Sequence, residues 1–233
     1  MALVGILTAI DSIKYSLNEQ FTVMGANTFS ISSKQLFASR AGEEDHPEIS
    51  YRQALDFEEE YQFPAEISIR IPASGTATVK YKSVKTNPNI QVVGTDNNYL
   101  ITSGYTLRKG RNFSVNEINS NAHLVIIGSN LSAELFEHDV NPLGEVITIG
   151  SGKYKVIGVL EEKGSGFGGG GDRICILPIT NVRQYFARSN MDYMITILPN
   201  EPRMLEMAIS EAIGLFRVIR GVRPGQENNF AIE

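Results

Sequence analysis

The chain has 233 residues, 42% of them hydrophobic and 20% charged, enough to bury one large core or two modest ones without covalent staples. Its 21 Lys plus Arg against 26 Asp plus Glu leave a net charge of -5, which excludes the broad positive field that nucleic acid or anionic lipid would require. A single cysteine, Cys175, permits no intrachain disulfide, and no apolar stretch reaches the ~20 residues of a membrane-spanning helix.

Apolar residues first recur as Leu3, Ile6, Leu7, Ile10, Ile13, Leu17, Phe21 and Met24, a helical stripe that Gly25 is placed to end. This opening lacks the basic n-region and cleavage site of a signal peptide, so it reads as the continuation of a longer chain. Residues 28–32 predict a short strand, and residues 33–47, with Glu43, Glu44, Asp45 and His46, a polar loop. Ser50 and Gln53 form a capping box for a helix through about Tyr61. Alternation at Ile67, Ile69 and Ile71 predicts a half-buried strand. A turn at Ala73, Ser74 and Gly75 should lead into a hairpin partner over residues 76–84, followed by a strand over 90–94.

The middle of the chain is punctuated by Gly104, Gly110, Gly128, Gly144, Gly150, Gly152 and Gly158, with one short helix predicted over 130–136. Strands are expected over 123–127, 145–149, 153–160 and 173–177, and Gly150-Ser151-Gly152 marks a hairpin. A helix over 181–187 and a strand over 193–198 follow. Pro202 then opens a helix whose Leu205, Ala208, Ile209, Ala212, Ile213 and Phe216 share one face. The fold class expected is α+β with two subdomains. One is a discontinuous βαβ module built from both chain ends, residues 1–95 plus 179–233; the other is a small β-rich module, residues 96–178, inserted into it.

Residues with chemical potential are few. The run Gly164-Ser165-Gly166-Phe167-Gly168-Gly169-Gly170-Gly171 contains G-x-G-x-x-G, but it leads into a strand rather than a helix, so no helix N-terminus is there to hold a phosphate. It reads as a flexible hairpin tip on which Phe167 is the one side chain able to dock on a partner. Neither an H-E-x-x-H pair, a nucleophile elbow nor a phosphate loop occurs. His46, His123 and His138 have no i,i+4 partner, and Glu43, Glu44, Asp45 and Glu48 lack the spacing of a calcium loop. Adjacent Glu58, Glu59 and Glu60 point in different directions and cannot flank one bond. Cys175, within an apolar run, packs as a small hydrophobe. Neither a catalytic residue, a metal nor a cofactor is expected.

An ordered set of blocks carries a resemblance: Val93-Gly94-Thr95, Gly110-Arg111-Asn112-Phe113, Val125-Ile126-Ile127-Gly128, Pro142-Leu143-Gly144, Val156-Ile157-Gly158-Val159-Leu160 and Ile176-Leu177-Pro178. Together they resemble the extracytoplasmic core domain of MacB-like ABC transporter permeases, in the wider FtsX-like group. Arg223-Pro224-Gly225-Gln226-Glu227-Asn228-Asn229-Phe230 is similar to the segment that precedes the family's second membrane helix, and residues 3–24 to the outward stalk of the first. The resemblance implies a periplasmic domain of a bacterial inner-membrane protein, with a porter-like module and an inserted Sabre-like module. It further implies a permease dimer mate, a cytoplasmic ATP-binding subunit or domain, and in some members a periplasmic adaptor and outer-membrane channel. The implied role is mechanotransmission, in which ATP-driven motion passes along stalk helices to the periplasmic domain. The stripe Leu3, Ile6, Leu7, Ile10, Ile13 and Leu17 suits a stiff helix seated against a neighbour. The alternatives are a free-standing periplasmic ligand-binding protein, which predicts one enclosed apolar pocket, and a small enzyme, which predicts titratable groups converging in a cleft.

Overall fold

A computed structural model describes residues 27–34, 47–137, 139–163 and 172–233. The predicted helix of residues 3–24, with Leu3, Ile6, Leu7, Ile10, Ile13 and Leu17, lies outside the described residues, as do His46, His138 and the glycine run containing Phe167. The fold is mixed α+β, organised around one large sheet with short helices on it.

Its strands among the described residues are β1 (Phe29–Ser33), β2 (Ala65–Ala77), β3 (Val79–Tyr81), β4 (Val84–Lys85), β5 (Ile90–Thr95), β6 (Leu107–Gly110), β7 (Leu124–Ile127), β8 (Val146–Ile149), β9 (Gly152–Leu160), β10 (Ile174–Pro178), β11 (Met194–Pro199) and β12 (Phe230–Ile232). They run in the order β12-β1-β11-β2-β5-β10-β7-β9-β8-β3-β4, with β6 pairing the far end of β9. The β5–β10 and β7–β9 pairs are parallel and the others antiparallel. Strand β2 holds the sheet together: its first half pairs with β11 from Ala65 to Arg70, and its second half pairs with β5.

The helices are α1 (Tyr51–Glu60), α2 (Tyr99–Thr102), α3 (Val115–Asn119), α4 (Ser129–Leu135), α5 (Ile179–Tyr185) and α6 (Leu205–Ile219). The capping box at Ser50 forms as read: the Gln53 amide donates to Ser50 Oγ at 3.2 Å, and the Ser50 amide donates to Gln53 Oε1 at 3.0 Å. Helices α1 and α6 pack together through aromatic edges. Phe57 meets Phe216 at 5.8 Å in a T-shaped contact, Phe216 meets Phe230 of β12 at 4.9 Å, and Tyr61 Oη donates to the Ala208 carbonyl at 2.8 Å. Each aromatic pair contributes about 0.5–1.5 kcal/mol beyond the area it buries.

Several expectations are corrected. No turn forms at residues 73–75; β2 runs through to Ala77 with register shifts after Pro72, which has no N–H to give the ladder. The reversal comes instead between β3 and β4, where Lys82 takes φ 49°. The expected half-buried strand at Ile67, Ile69 and Ile71 is buried on both faces over residues 67–69. There Ser68 hydrogen-bonds Thr102 of α2 at 2.6 Å on the side opposite those isoleucines. Pro202 opens a 3-10 turn (Pro202–Met204) before α6 rather than the helix itself. Helix α5 begins at Ile179, two residues before the expected start, and α2, α3, β6 and β12 had no periodic signal long enough to read.

Candidate functional site

Two places among the described residues concentrate polar and charged contacts: the sheet edge where β1 meets β12, and a cleft between α1 and α3.

At the edge, β12 pairs antiparallel with β1 in the register Ile31 to Ile232 and Ser33 to Phe230. The pairing extends to the last residue, since the Ser30 amide donates to the Glu233 carbonyl at 2.8 Å and the Glu233 amide returns to Ser30 at 3.0 Å. Because the strands are antiparallel, the residues where the chain enters β1 and leaves β12 lie side by side at one end of the same edge. Two arginines one turn apart, Arg217 in the last turn of α6 and Arg220 at its C-cap, fasten the returning segment. Arg217 donates to the carbonyls of Gln226 (3.0 Å) and Arg223 (3.1 Å) and to Asn228 Oδ1. Arg220 donates to the carbonyls of Pro47 (2.7 Å) and Glu48 (2.8 Å) and to Asn229 Oδ1 (3.1 Å). Asp192 completes the clamp, accepting from Ser33 Oγ and, at 2.8 Å, from the Ile49 amide. Both arginines precede Gly221, which takes φ 63° and ends α6. The sequence does not mark the roles of Arg217 and Arg220, because their acceptors are mostly backbone carbonyls.

The cleft, of about 160 Å³, is lined by Tyr51, Glu58, Ile69, Asp96, Val115 and Ile179 among others. Asp96 leaves the end of β5 and accepts the amides of Asn98 (3.0 Å) and Tyr99 (3.1 Å), which starts α2, and that of Ile69 in β2. Burial pushes its carboxyl up to about 7, against the pull of the backbone N–H donors, and Glu58 across the cleft adds to the rise. Arg183 of α5 stacks on the Tyr51 ring at 3.8 Å. The cleft therefore holds two carboxylates at its wall, one of them engaged by three backbone donors that fasten β2 to the start of α2. A second cleft of about 280 Å³ lies by Asn27, Leu198 and Pro202.

Other residues singled out in the sequence have plain surroundings. His123 sits between Tyr154 (5.3 Å) and Tyr185 (4.9 Å). Cys175 is fully buried in β10, which raises its thiol well above the ordinary range. The motif glycines are packing devices. Gly110 takes φ 86°, and a Cβ there would run into the Ile157 carbonyl. Arg111 grips Glu117 with both guanidinium nitrogens, at 2.6 and 2.7 Å, holding that carboxyl down at about 2. Asn112 Nδ2 donates to the Asn97 carbonyl at 2.7 Å, so the Gly110-Arg111-Asn112-Phe113 block ties α3 to the loop after β5.

A family model described as MacB-like periplasmic core domain matches residues 1–214. The chain belongs to this family. Within MacB-like sequences it is 28% identical over 214 residues to the macrolide export ATP-binding/permease protein MacB of Hahella chejuensis, covering 91% of this chain and 32% of that protein. It is 29% identical over 170 residues to the Escherichia coli K12 protein of the same name, covering 72% of this chain and 25% of that one. The chain thus spans about a third or less of the length of the curated relatives it matches. The fold is shared with the periplasmic region of MacB from Actinobacillus actinomycetemcomitans, at a TM-score of 0.73, 16% identity and 92% coverage of both chains. The extracellular domain of the noncanonic ABC-type transporter YknZ from Gram-positive bacteria matches at a TM-score of 0.67 and 17% identity, covering 88% of this chain and 99% of that one. The chain is therefore a periplasmic core domain of MacB type. Among the described residues no helix is long and apolar enough to cross a membrane.

Proposed function

We propose that this domain is the extracytoplasmic part of an ABC transporter permease and that it works as a motion-coupling and partner-binding body rather than as an enzyme. ATP bound by a cytoplasmic subunit or domain would move the membrane segments of a permease dimer, and the periplasmic domains would carry that displacement to a partner or cargo. The observation that carries this reading is the β1–β12 pairing, which sets the residues where the chain enters β1 and leaves β12 side by side, as two tethers to one bilayer require. A displacement applied at the ends enters a sheet edge already fastened to α6 by Arg217 and Arg220, and it reaches the rest of the molecule through continuous backbone hydrogen bonds. On this reading the inner module comprises residues 1–95 and 179–233 and the inserted one residues 96–178, and the β5–β10 and β3–β8 pairings join them.

The ligand-binding alternative gains less support. Among the described residues, the clefts of about 160 and 280 Å³ fall below the roughly 300–1,000 Å³ usual for small-molecule sites, and Asp96 at the first is occupied with backbone donors.

The test is made in the full-length transporter. Flexible Gly-Ser insertions of about ten residues, roughly 17 Å of slack, are placed immediately before Asn27 and after Glu233. ATP hydrolysis should persist while ATP-dependent transport falls steeply; transport that survives both insertions overturns the coupling role.

A further inference from the structure

The face of the sheet formed by β4, β3, β8 and β9 carries a row of lysines. Register places Lys85 opposite Lys80, Lys80 opposite Thr148, and Thr148 opposite Lys153; one step along, Val146 lies opposite Lys155. Cross-strand partners point to the same side, so Lys85, Lys80, Lys153 and Lys155 share one face around Thr148 and Val146. All four lysines are exposed, as is Val146 at 50%, while Val79, Ile147, Ile149, Tyr154 and Val156 turn the other way into the core. None of the four lysines makes an ion pair among the described residues. The neighbouring carboxylate of Glu145 instead accepts the Tyr81 hydroxyl at 2.7 Å.

This arrangement needs an explanation, because like charges directly opposite on a sheet are destabilising and the chain as a whole is acidic at -5. Lysines on outermost strands discourage edge-to-edge pairing, which accounts for Lys85 on β4. It does not account for Lys80, Lys153 and Lys155, since β3 is flanked by β8 and β4, and β9 by β7 and β8.

We propose that this lysine face is a docking surface for an acidic helix of a partner protein. Successive strands set neighbouring side chains of the row about 5 Å apart, so Lys85 and Lys80 stand one step apart and Lys80 and Lys153 two, with Thr148 between them. Carboxylates three or four residues apart on a helix recur at about 5–6 Å and those at i and i+7 at about 10 Å, which matches both intervals. Exposed Val146 supplies an apolar contact between the charges. Position favours a protein over the membrane: β3 lies eight strand steps from β1 in the sheet, roughly 40 Å along it, several times the ~8 Å over which physiological salt screens charge. That last argument rests on the proposed reading of the paired ends as the membrane side.

The experiment uses the 233-residue chain and a fluorescently labelled alanine-rich helical peptide with glutamates at i, i+4 and i+7, alongside an isomer of identical composition with the glutamates in adjacent positions. Anisotropy at low salt should show the spaced peptide binding more tightly than its isomer. Lys153→Glu with Lys155→Glu should weaken that binding about tenfold or more, and the neutral pair Lys153→Gln with Lys155→Gln should weaken it less. Reversing exposed Arg52 and Arg203, which changes net charge equally, should leave it in place. Equal loss in the two reversals, or no preference between peptides, overturns the proposal. So does binding of phosphatidylglycerol vesicles that the lysine variants abolish while peptide binding persists, or self-association of the chain that they abolish, which would assign the face to lipid or to a second copy. These readouts do not depend on transport, so they can fail while the linker experiment succeeds, and the reverse.

Discussion

Asp96 is where one side chain does most for the architecture. Three amides from two separate segments end on its carboxylate, yet its surroundings push its pKa up to about 7 from an ordinary 3.8. The consequence for stability has a definite sign. Between pH of about 4 and 7 the folded chain keeps a proton that the unfolded chain has released, so this group's contribution is fully present below about 4 and is lost as pH rises through 7. Asp96→Asn cannot titrate and should flatten that slope. Urea unfolding of both proteins from pH 4 to 8 should therefore show a stability difference that changes with pH; a constant difference would assign the titration to another group. Nothing in the sequence around Asp96 announces this role, because one of its donors, Ile69, comes from another strand 27 residues away. The Ser50–Gln53 capping box was legible because its whole chemistry lies within four residues. The same distinction applies to Arg220, whose acceptors include Pro47 and Glu48 more than 170 residues earlier.

Whole elements divide along a related line. Helix α6 was readable because its apolar periodicity persists from Leu205 to Phe216, and β5 and β9 because each is a short apolar run bounded by turn residues. The break at Gly75 misled because glycine permits a turn without requiring one; open space surrounds it, and pairing to β5 carries the strand past it. Strand β12 has three residues and no periodicity to detect, and what fixes it is tertiary: Phe230 is 2% exposed and buttresses Phe216 of α6. Phe230→Ala should therefore cost about 3–5 kcal/mol in urea unfolding. It should also release β12 before the remaining sheet opens, since Phe230 is the one fully buried side chain of so short a strand. Hydrogen exchange is the decisive measurement: the amides of Ser30 and Glu233 should lose protection in the variant while those of β5 and β10 keep theirs. Uniform loss would mean that β12 melts only with the whole domain.

On the scale of the molecule, a glycine-rich middle between more regular ends suggested two modules, yet texture could not reveal that the β5–β10 and β3–β8 pairings join both in a single sheet. Nor could it reveal the antiparallel meeting of β1 and β12. That meeting has a covalent test. Ser30 and Glu233 exchange both backbone hydrogen bonds, so the next pair in register, Ile31 with Ile232, is a non-hydrogen-bonded pair with Cα atoms about 4.5 Å apart, within the span of a disulfide. Ile31→Cys with Ile232→Cys should cross-link on oxidation. Cys175 should not compete, being fully buried. Closing a loop of some 200 residues should stabilise the domain by about 3–5 kcal/mol, read as a rise in melting temperature reversed by reductant. In the full-length transporter the same bond separates two kinds of motion. If the paired ends move as one rigid tether, oxidation leaves ATP-driven transport intact. If transport stops on oxidation and returns on reduction while ATP hydrolysis continues throughout, the working stroke requires β1 and β12 to part, and the domain is a clasp that opens rather than a lever that tilts.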